Sequence, residues 1–151
     1  MEARIKNPAL ALPGAMDALL AISKASQAQG VPMRTLHLVH LRSSQINGCS
    51  VCAYMHSRLA KKAGETDDRL WATAAWRDAP WFSPEERAAL ALAEAVTRTA
   101  DKSDPVPDAV WDEAARYYDE AQLAALVMEI ATVNLWNRLN VATRQPAGAA
   151  W

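Results

Sequence analysis

The sequence predicts an all-α fold, a compact domain of about six to seven helices, from three observations. Alanine, the strongest helix former, supplies 32 of the 151 residues. Glycine and proline number only 5 and 8, and they stand at apparent boundaries between apolar segments. Apolar residues recur at helical spacing, and no alternating run is long enough to indicate a strand. The predicted helices cover residues 7–30, 34–46, 49–63, 66–76, 83–101, 108–117 and 119–144.

The first three helices are bounded by proline and glycine. Pro13 fits the first turn of a helix, and Gly30 is a typical residue at a helix C-terminus. The second helix ends where Asn47 and Gly48 break the chain direction, and the third ends before Gly64. The apolar positions at helical spacing in these segments are Met16, Leu19, Leu20, Ile22, Leu36, Val39, Leu41, Val51, Met55 and Leu59.

The fourth and fifth helices carry start signals at their N-termini. Thr66 followed by two aspartates indicates a helix entry, and Pro80 closes the segment. Ser83 can cap the fifth helix, Pro84 fits its first position, and Glu86 completes a capping box.

The C-terminal part of the chain holds a short sixth helix over residues 108–117 and a long last one. Asp119 and Gln122 predict a cap and capping box for that last helix. It should end near Arg144, and a loose tail is expected from about residue 146. We expect residues 1–151 to form one domain, because their number matches a typical domain length.

Charge and hydropathy exclude several classes of partner. The net charge is −1 and basic residues are scattered among acids, so no nucleic-acid footprint is present. No apolar run reaches the roughly 18–20 residues that cross a bilayer, so no membrane segment is expected. The first ten residues lack the apolar stretch of a signal peptide, and we therefore expect a cytoplasmic protein.

The chemistry of the chain is concentrated at its only two cysteines, Cys49 and Cys52, which are three positions apart. A pair so close closes a tiny loop and cannot staple a fold, so it indicates redox or metal chemistry. If a helix starts near Cys49, then both cysteines and His56 fall on one face. The helix N-terminus and a histidine one turn from Cys52 both favour a reactive thiolate.

Two other interpretations of this segment stand beside the redox one. The cysteines could be small core hydrophobes without reactivity. A structural zinc site could use Cys49, Cys52, His56 and either His37 or His40. His37 and His40 lie three apart on the preceding helix, and we expect one of them to face the cysteines. For His40, a surface or hydrogen-bonded core position is the simpler expectation.

The sequence around the cysteines resembles the alkyl hydroperoxidase D-like (AhpD-like), or carboxymuconolactone decarboxylase, family. The matching central motif is Ser44-Gln45-Ile46-Asn47-Gly48-Cys49-x-x-Cys52-x-x-x-His56. Weaker matching pieces follow along residues 15–148: Ala63-Gly64-Glu65-Thr66, Arg69-Leu70, Ala75-Trp76-Arg77, Pro80, Glu86-Arg87-Ala88-Ala89-Leu90 and Asn134-x-Trp136-Asn137-Arg138.

The resemblance implies a helical subunit that assembles as a trimer or hexamer and acts as an antioxidant thiol peroxidase. Cys52 corresponds to the peroxidatic thiol, Cys49 to the resolving thiol and His56 to the relay base. The helix dipole alone would favour Cys49 as the more acidic thiol. The implied substrate is a hydroperoxide, with no bound cofactor and with an external dithiol, a protein or a lipoyl-type donor, as reductant.

One position departs from the family pattern. Family members usually carry a glutamate twelve residues before the first cysteine, where this chain has His37. A histidine there can relay protons but brings no negative charge, so we expect no carboxylate beside His56 to stabilise its cation. Either His37 substitutes for the glutamate, or the relay is rewired, or the peroxidase activity is weak. Two functional alternatives stay open: a non-enzymatic redox-sensing or zinc-binding module, and a decarboxylase-branch enzyme on the same scaffold.

Overall fold

The computed structural model describes residues 2–148, and these residues form helices and connecting loops without a β-strand. The helices are α1 (Pro8–Ala11), α2 (Ala15–Gln27), α3 (Met33–Ile46), α4 (Ser50–Lys62), α5 (Asp67–Ala72), α6 (Pro84–Thr97), α7 (Asp108–Ala115) and α8 (Glu120–Thr143), with a 3₁₀ turn at Thr73–Ala75. The all-α prediction is confirmed. The tail predicted from about residue 146 lies partly outside the described residues, because they end at 148. None of the described helices combines the length and apolar character that crossing a bilayer requires.

The predicted count of six to seven helices is wrong, because the described residues contain eight α-helices. The difference arises in the first segment, which splits into α1 and α2 at Gly14, a residue with φ of 79°. Asn7 caps α1 by accepting a hydrogen bond from the backbone N–H of Ala9. A helix of four residues is too short to show apolar residues at helical spacing. Its N-cap, Asn7, lies inside the segment that the sequence predicts as one longer helix, so the break at Gly14 was not predicted.

Both predicted capping boxes are present. Ser83 accepts from the backbone N–H of Glu86, whose carboxylate accepts from the backbone N–H of Ser83. Asp119 and Gln122 make the same exchange at the start of α8. Each box satisfies two N–H groups that a helix start otherwise leaves unpaired. The fifth predicted helix, α6, ends at Thr97 rather than near residue 101.

Helix α3 lies at the centre of the fold and packs against α4, α6 and α8. The largest apolar side chains that are completely buried come from these central helices: Leu36, Leu38, Leu90, Leu92, Leu126 and Ile130. Burying a side chain of this size contributes about 1.5–3 kcal/mol. This packing fixes α3 and α4 against α8, and that arrangement positions the site described below.

A polar interface joins α8 to the turn between α3 and α4. The Asn47 side-chain amide donates to the Oδ1 atoms of Asn134 and Asn137, at 2.8 Å each. Asn137 in turn donates to the Ser44 hydroxyl at 3.1 Å, and Asn137 is completely buried. Because buried amides without partners are costly, these bonds hold the turn in one register along α8.

A second polar cluster surrounds the buried carboxylate of Glu94 on α6. It accepts from Arg42 at 2.6 Å, from Arg77 at 2.7 Å and from the Trp76 indole N–H at 3.0 Å. Burial raises the pKa of Glu94, but these hydrogen bonds outweigh it and lower that pKa to about 2. The carboxylate is therefore ionised at neutral pH and ties α3 and the 76–77 turn to α6.

Candidate active site

The turn before α4 brings the first cysteine to the start of that helix. Gly48 has φ of 67°, a left-handed conformation that glycine adopts without steric cost. Cys49 is the N-cap of α4, and its sulfur accepts from the backbone N–H of Cys52 at 3.3 Å. The backbone N–H of Cys49 donates to the carbonyl of Ser44. The side chain of Cys49 thus lies within the first turn of α4, as its spacing predicts.

The two cysteine sulfurs lie at disulfide-bonding distance, with the Cα atoms 5.3 Å apart. Both residues are 2% exposed. The side-chain amide of Asn140, on α8, donates to the sulfur of Cys52 at 3.2 Å. Asn140 is held in turn by Asn7, whose amide donates to its Oδ1 at 2.7 Å. A fixed N–H donor therefore points at one of the two sulfurs, that of Cys52.

Three buried histidines lie close together beside this pair. His37 and His40 come from successive positions on one face of α3, and His56 lies one turn beyond Cys52 on α4. The ring centroids of His40 and His56 are 4.6 Å apart, whereas the His37 ring is 6.2 Å from each of the others. His40, rather than His37, is therefore the nearer neighbour of His56.

A buried carboxylate completes the cluster. Glu129 of α8 is 1% exposed, and its Oε2 lies 2.7 Å from Nε2 of His40, within ion-pair distance. The Ser26 hydroxyl donates to the other carboxylate oxygen. Burial raises the pKa of Glu129, but the close contact with His40 and the hydrogen bond from Ser26 outweigh it and lower the pKa overall. A carboxylate that the sequence did not predict therefore lies in the cluster, beside His40.

Burial shifts the protonation of the histidines toward the neutral form. It is the largest cause lowering the pKa of His56 well below its usual value, and the nearby His40 and His37 lower it further. Burial and His40 also lower the pKa of His37, with partial opposition from Glu129. At neutral pH both imidazoles are therefore uncharged and carry a free lone pair that can accept a proton or bind a metal.

A cavity of about 410 Å³ opens beside the cluster. Its walls include Cys52, the three histidines, Glu129 and Asn140, whereas Cys49 is absent from its lining. The apolar part of the wall comes from α2, α4 and α8: Met16, Leu20, Met55, Leu59, Val133 and Trp136. A cavity of this volume holds a small organic molecule. Its apolar wall favours a substrate with a hydrocarbon part.

The structure thus brings together all four residues singled out from the sequence, with Cys52, His56 and His37 on the cavity wall and Cys49 behind Cys52. Sequence reasoning missed Glu129 and Asn140. Glu129 did carry a signal, because it occupies a helical position between Leu126 and Val133 on the buried side of α8. Asn140 carried no such signal in the sequence, because an asparagine at that position of α8 fits the polar interface with α3 equally well.

Comparison with known proteins gives a consistent family assignment. The sequence profile of the carboxymuconolactone decarboxylase family matches residues 13–95. The uncharacterized protein YdfG of Bacillus subtilis (strain 168) is 37% identical over 130 residues, which cover 86% of this chain and 87% of YdfG. The uncharacterized protein YnjA of Escherichia coli (strain K12) is 38% identical over 111 residues, 73% of this chain but only 59% of YnjA.

Solved structures show the same fold. ATU0492 from Agrobacterium tumefaciens, of unknown function and suggested to be the antioxidant defence protein AhpD, aligns with a TM-score of 0.89 and 30% identity, over 99% of this chain and all of that one. The debrominase Bmp8 aligns with a TM-score of 0.79 and 25% identity, over 91% of this chain and 73% of Bmp8. A cysteine-to-alanine variant of Bmp8 in complex with 2,3,4-tribromopyrrole aligns with a TM-score of 0.78, over 91% of this chain and 72% of that one.

Proposed function

The chain belongs to the carboxymuconolactone decarboxylase family, and from that premise we propose that it is an AhpD-like thiol peroxidase that reduces organic hydroperoxides with Cys49 and Cys52. One observation carries the proposal. Cys52 lines an apolar cavity together with His56, and Cys49 lies behind it at disulfide-bonding distance. A peroxidase of this type needs a nucleophilic thiol that the substrate can reach, a base beside it and a second thiol within bonding distance.

In the first step, His56 takes the proton of the Cys52 thiol, and the thiolate attacks the distal oxygen of the hydroperoxide. An S–O bond forms and the O–O bond breaks. The departing alkoxide takes the proton back from His56 and leaves as an alcohol, and Cys52 becomes a sulfenic acid. The amide of Asn140, which donates to the sulfur of Cys52, stabilises the attacking thiolate.

In the second step, the Cys49 thiol attacks the sulfur of the sulfenic acid. The S–S bond forms, and the hydroxyl group leaves with the Cys49 proton as water. An external dithiol then reduces the disulfide by exchange and becomes a disulfide itself, so both thiols return. The helical spacing of the pair, with Cα atoms 5.3 Å apart, lets α4 hold both states.

The histidines and Glu129 form the proton relay of this mechanism. A charged His56 forms transiently in a buried site, and burial disfavours it. His40 lies beside His56, and the ionised Glu129 lies 2.7 Å from His40, so a negative charge stands one imidazole away from the developing cation. Glu129 therefore acts as a positioning residue through His40, and it takes the place of the glutamate that the family pattern puts at the position of His37.

We also propose that the protein assembles as a trimer or hexamer. Large apolar side chains remain exposed on the single chain, among them Trp71 at 75%, Trp81 at 50% and Leu20 at 56%. Apolar surface of this kind marks an interaction site when it is contiguous. Leu20 lies on the cavity wall, so a neighbouring subunit packed there would narrow the entrance.

Steady-state peroxidase assays test the proposed function. Cumene hydroperoxide is offered with dihydrolipoamide, thioredoxin or dithiothreitol as reductant, to wild type, Cys49→Ser and Cys52→Ser. Wild type should turn over with at least one dithiol, and Cys52→Ser should lose activity completely. Cys49→Ser should form a sulfenic acid without turnover. Hydroperoxide turnover that survives in Cys52→Ser would refute the proposed thiol mechanism.

Reductive dehalogenation is a second candidate, favoured by the structural likeness to the debrominase Bmp8. The same cysteines would supply two electrons. A C–Br bond breaks and a C–H bond forms, bromide leaves, and the two thiols become the disulfide. Bromide release from 2,3,4-tribromopyrrole in the presence of dithiol, from a protein that does not consume hydroperoxide, would favour dehalogenation over hydroperoxide reduction.

A further inference from the structure

The histidine cluster has a property that the peroxidase mechanism does not use. The chain contains three histidines in all, and every one lies in this cluster. One ring nitrogen from each residue lies within 4.8 Å of the corresponding atoms of the other two. Each of the three side chains is at most 9% exposed.

These buried rings leave hydrogen-bonding capacity unused. The Nδ1 atoms of His37, His40 and His56 have no hydrogen-bond partner among the residues that the structure describes, and neither does Nε2 of His40. Leaving a buried nitrogen without a partner is unfavourable, and each of the three rings carries at least one such nitrogen. A group that accepts lone pairs from all three would remove that cost.

Glu129 prepares one of these rings for such a group. Its carboxylate lies 2.7 Å from Nε2 of His40, and the negative charge at that distance favours a proton on Nε2 and a lone pair on Nδ1. Metal-binding histidines commonly have a carboxylate beside their second nitrogen. Glu129 therefore favours the tautomer of His40 that offers Nδ1 to a ligand.

We infer that His37, His40 and His56 form a binding site for one divalent transition-metal ion, of the zinc or cobalt class, with a fourth position open to the cavity. Imidazole is a preferred ligand of these ions, and three protein ligands with one open position are typical of a non-structural zinc site. Zinc–nitrogen bonds of about 2.0–2.1 Å place the ligand nitrogens of a tetrahedral site about 3.4 Å apart. The three histidine nitrogens lie within 4.8 Å of one another, so side-chain movements of about an ångström bring them to the ion.

The cavity explains how the ion enters and what completes its coordination. It reaches all three histidines and Cys52, so a water molecule, or the Cys52 thiolate in the reduced protein, can take the fourth position. A bound ion would hold the lone pair with which His56 serves as base. This last consequence rests on the proposed peroxidase, whereas the metal site itself does not.

Metal binding to the oxidised, tag-free protein tests the inference. With both cysteines in the disulfide, no thiolate can bind the ion, and zinc or cobalt prefers the imidazoles to the thioethers of the methionines on the cavity wall. Titration with Co²⁺ should give visible d–d bands that saturate at one ion per chain, and Zn²⁺ should displace the Co²⁺. X-ray absorption of the zinc-loaded wild-type protein should show three imidazole nitrogens, a readout that needs no variant to fold.

Variants assign the ligands. His37→Ala and His56→Ala should each weaken Zn²⁺ binding at least 100-fold, and Glu129→Gln about 10–100-fold, as expected for a group that orients a ligand. Glu120→Gln, an exposed change on the same helix, should leave the affinity unchanged. Helical circular dichroism establishes that each variant is folded.

Three outcomes would overturn the inference: no saturable binding to the oxidised protein, binding unaffected in the histidine variants, or an absorption spectrum without imidazole ligands. Binding that appears only after reduction and is lost in Cys52→Ser would assign the ion to the cysteines instead. The peroxidase assay is independent of these readouts. An inactive protein that binds zinc through its histidines would refute the proposed function alone.

Discussion

Asn140 offers a direct measure of how the fold tunes its reactive sulfur. Its amide donates to the sulfur of Cys52 at 3.2 Å, and Asn7 fixes its orientation from the other side. In the reduced protein the same N–H would donate to the Cys52 thiolate. A hydrogen bond to a charged group is worth about 1.5–3 kcal/mol, which at 1.36 kcal/mol per pH unit corresponds to a shift of about 1–2 units.

Replacing Asn140 with alanine should therefore raise the pH midpoint of Cys52 alkylation by about 1–2 units. Asn140→Asp should raise it further, because a carboxylate repels the thiolate. The measurement is the rate of iodoacetamide labelling against pH, followed by mass spectrometry, with every variant made in a Cys49→Ser background so that only Cys52 reacts.

A matched control is available on the same helix. Asn134 is also buried on α8, and its hydrogen bonds go to Asn47, Thr97 and the backbone rather than to a cysteine. Asn134→Ala should cost stability and leave the alkylation midpoint in place. If Asn140→Ala moves the midpoint by less than about 0.3 units, or no more than Asn134→Ala, the amide does not stabilise the thiolate.

Three further outcomes follow from the structure. The pKa of Glu94 is lowered to about 2 from a usual 4.5. The hydrogen bonds and ion pairs of its carboxylate therefore stabilise the fold fully above about pH 4.5, and this stabilisation is lost as the pH falls toward 2. Acid unfolding followed by circular dichroism should show this loss in wild type and in Glu120→Gln but not in Glu94→Gln, and equal acid profiles would contradict it. His40→Ala should lower the peroxidase rate about 100-fold or more and His37→Ala less than about tenfold, and the reverse order would place the relay through His37. Sedimentation equilibrium at micromolar concentration should give three or six times the 16.5 kDa chain mass, and a species of 16.5 kDa alone would exclude the oligomer.

Local features of the site were predictable because they depend on spacing along one helix. The CxxC and His56 share a face of α4 by helical period alone, and Cys49 at the N-cap follows from the glycine before it. The capping boxes of α6 and α8 were predictable for the same reason, since each involves residues three apart.

The rest of the site depends on which helices pack together, and a single sequence does not reveal that. Glu129 comes to His40 only because α8 crosses α3, and Asn140 meets Cys52 only because α8 also contacts α4. The choice between His37 and His40 was open for a similar reason. Both lie on one face of α3, and the position of α4 decides which ring is nearer to His56.

The most direct test of the central proposal is a single turnover without recycling reductant. Fully reduced protein, freed of dithiol, is mixed with one equivalent of cumene hydroperoxide per chain, and alcohol and free thiols are counted. The proposed mechanism predicts one equivalent of alcohol formed, two thiols lost and a mass decrease of two hydrogens within one chain. In Cys52→Ser, no alcohol should form and the mass should stay unchanged. Wild-type protein that leaves the hydroperoxide intact, or Cys52→Ser that consumes it at the same rate, would contradict the proposal that Cys52 is the peroxidatic thiol.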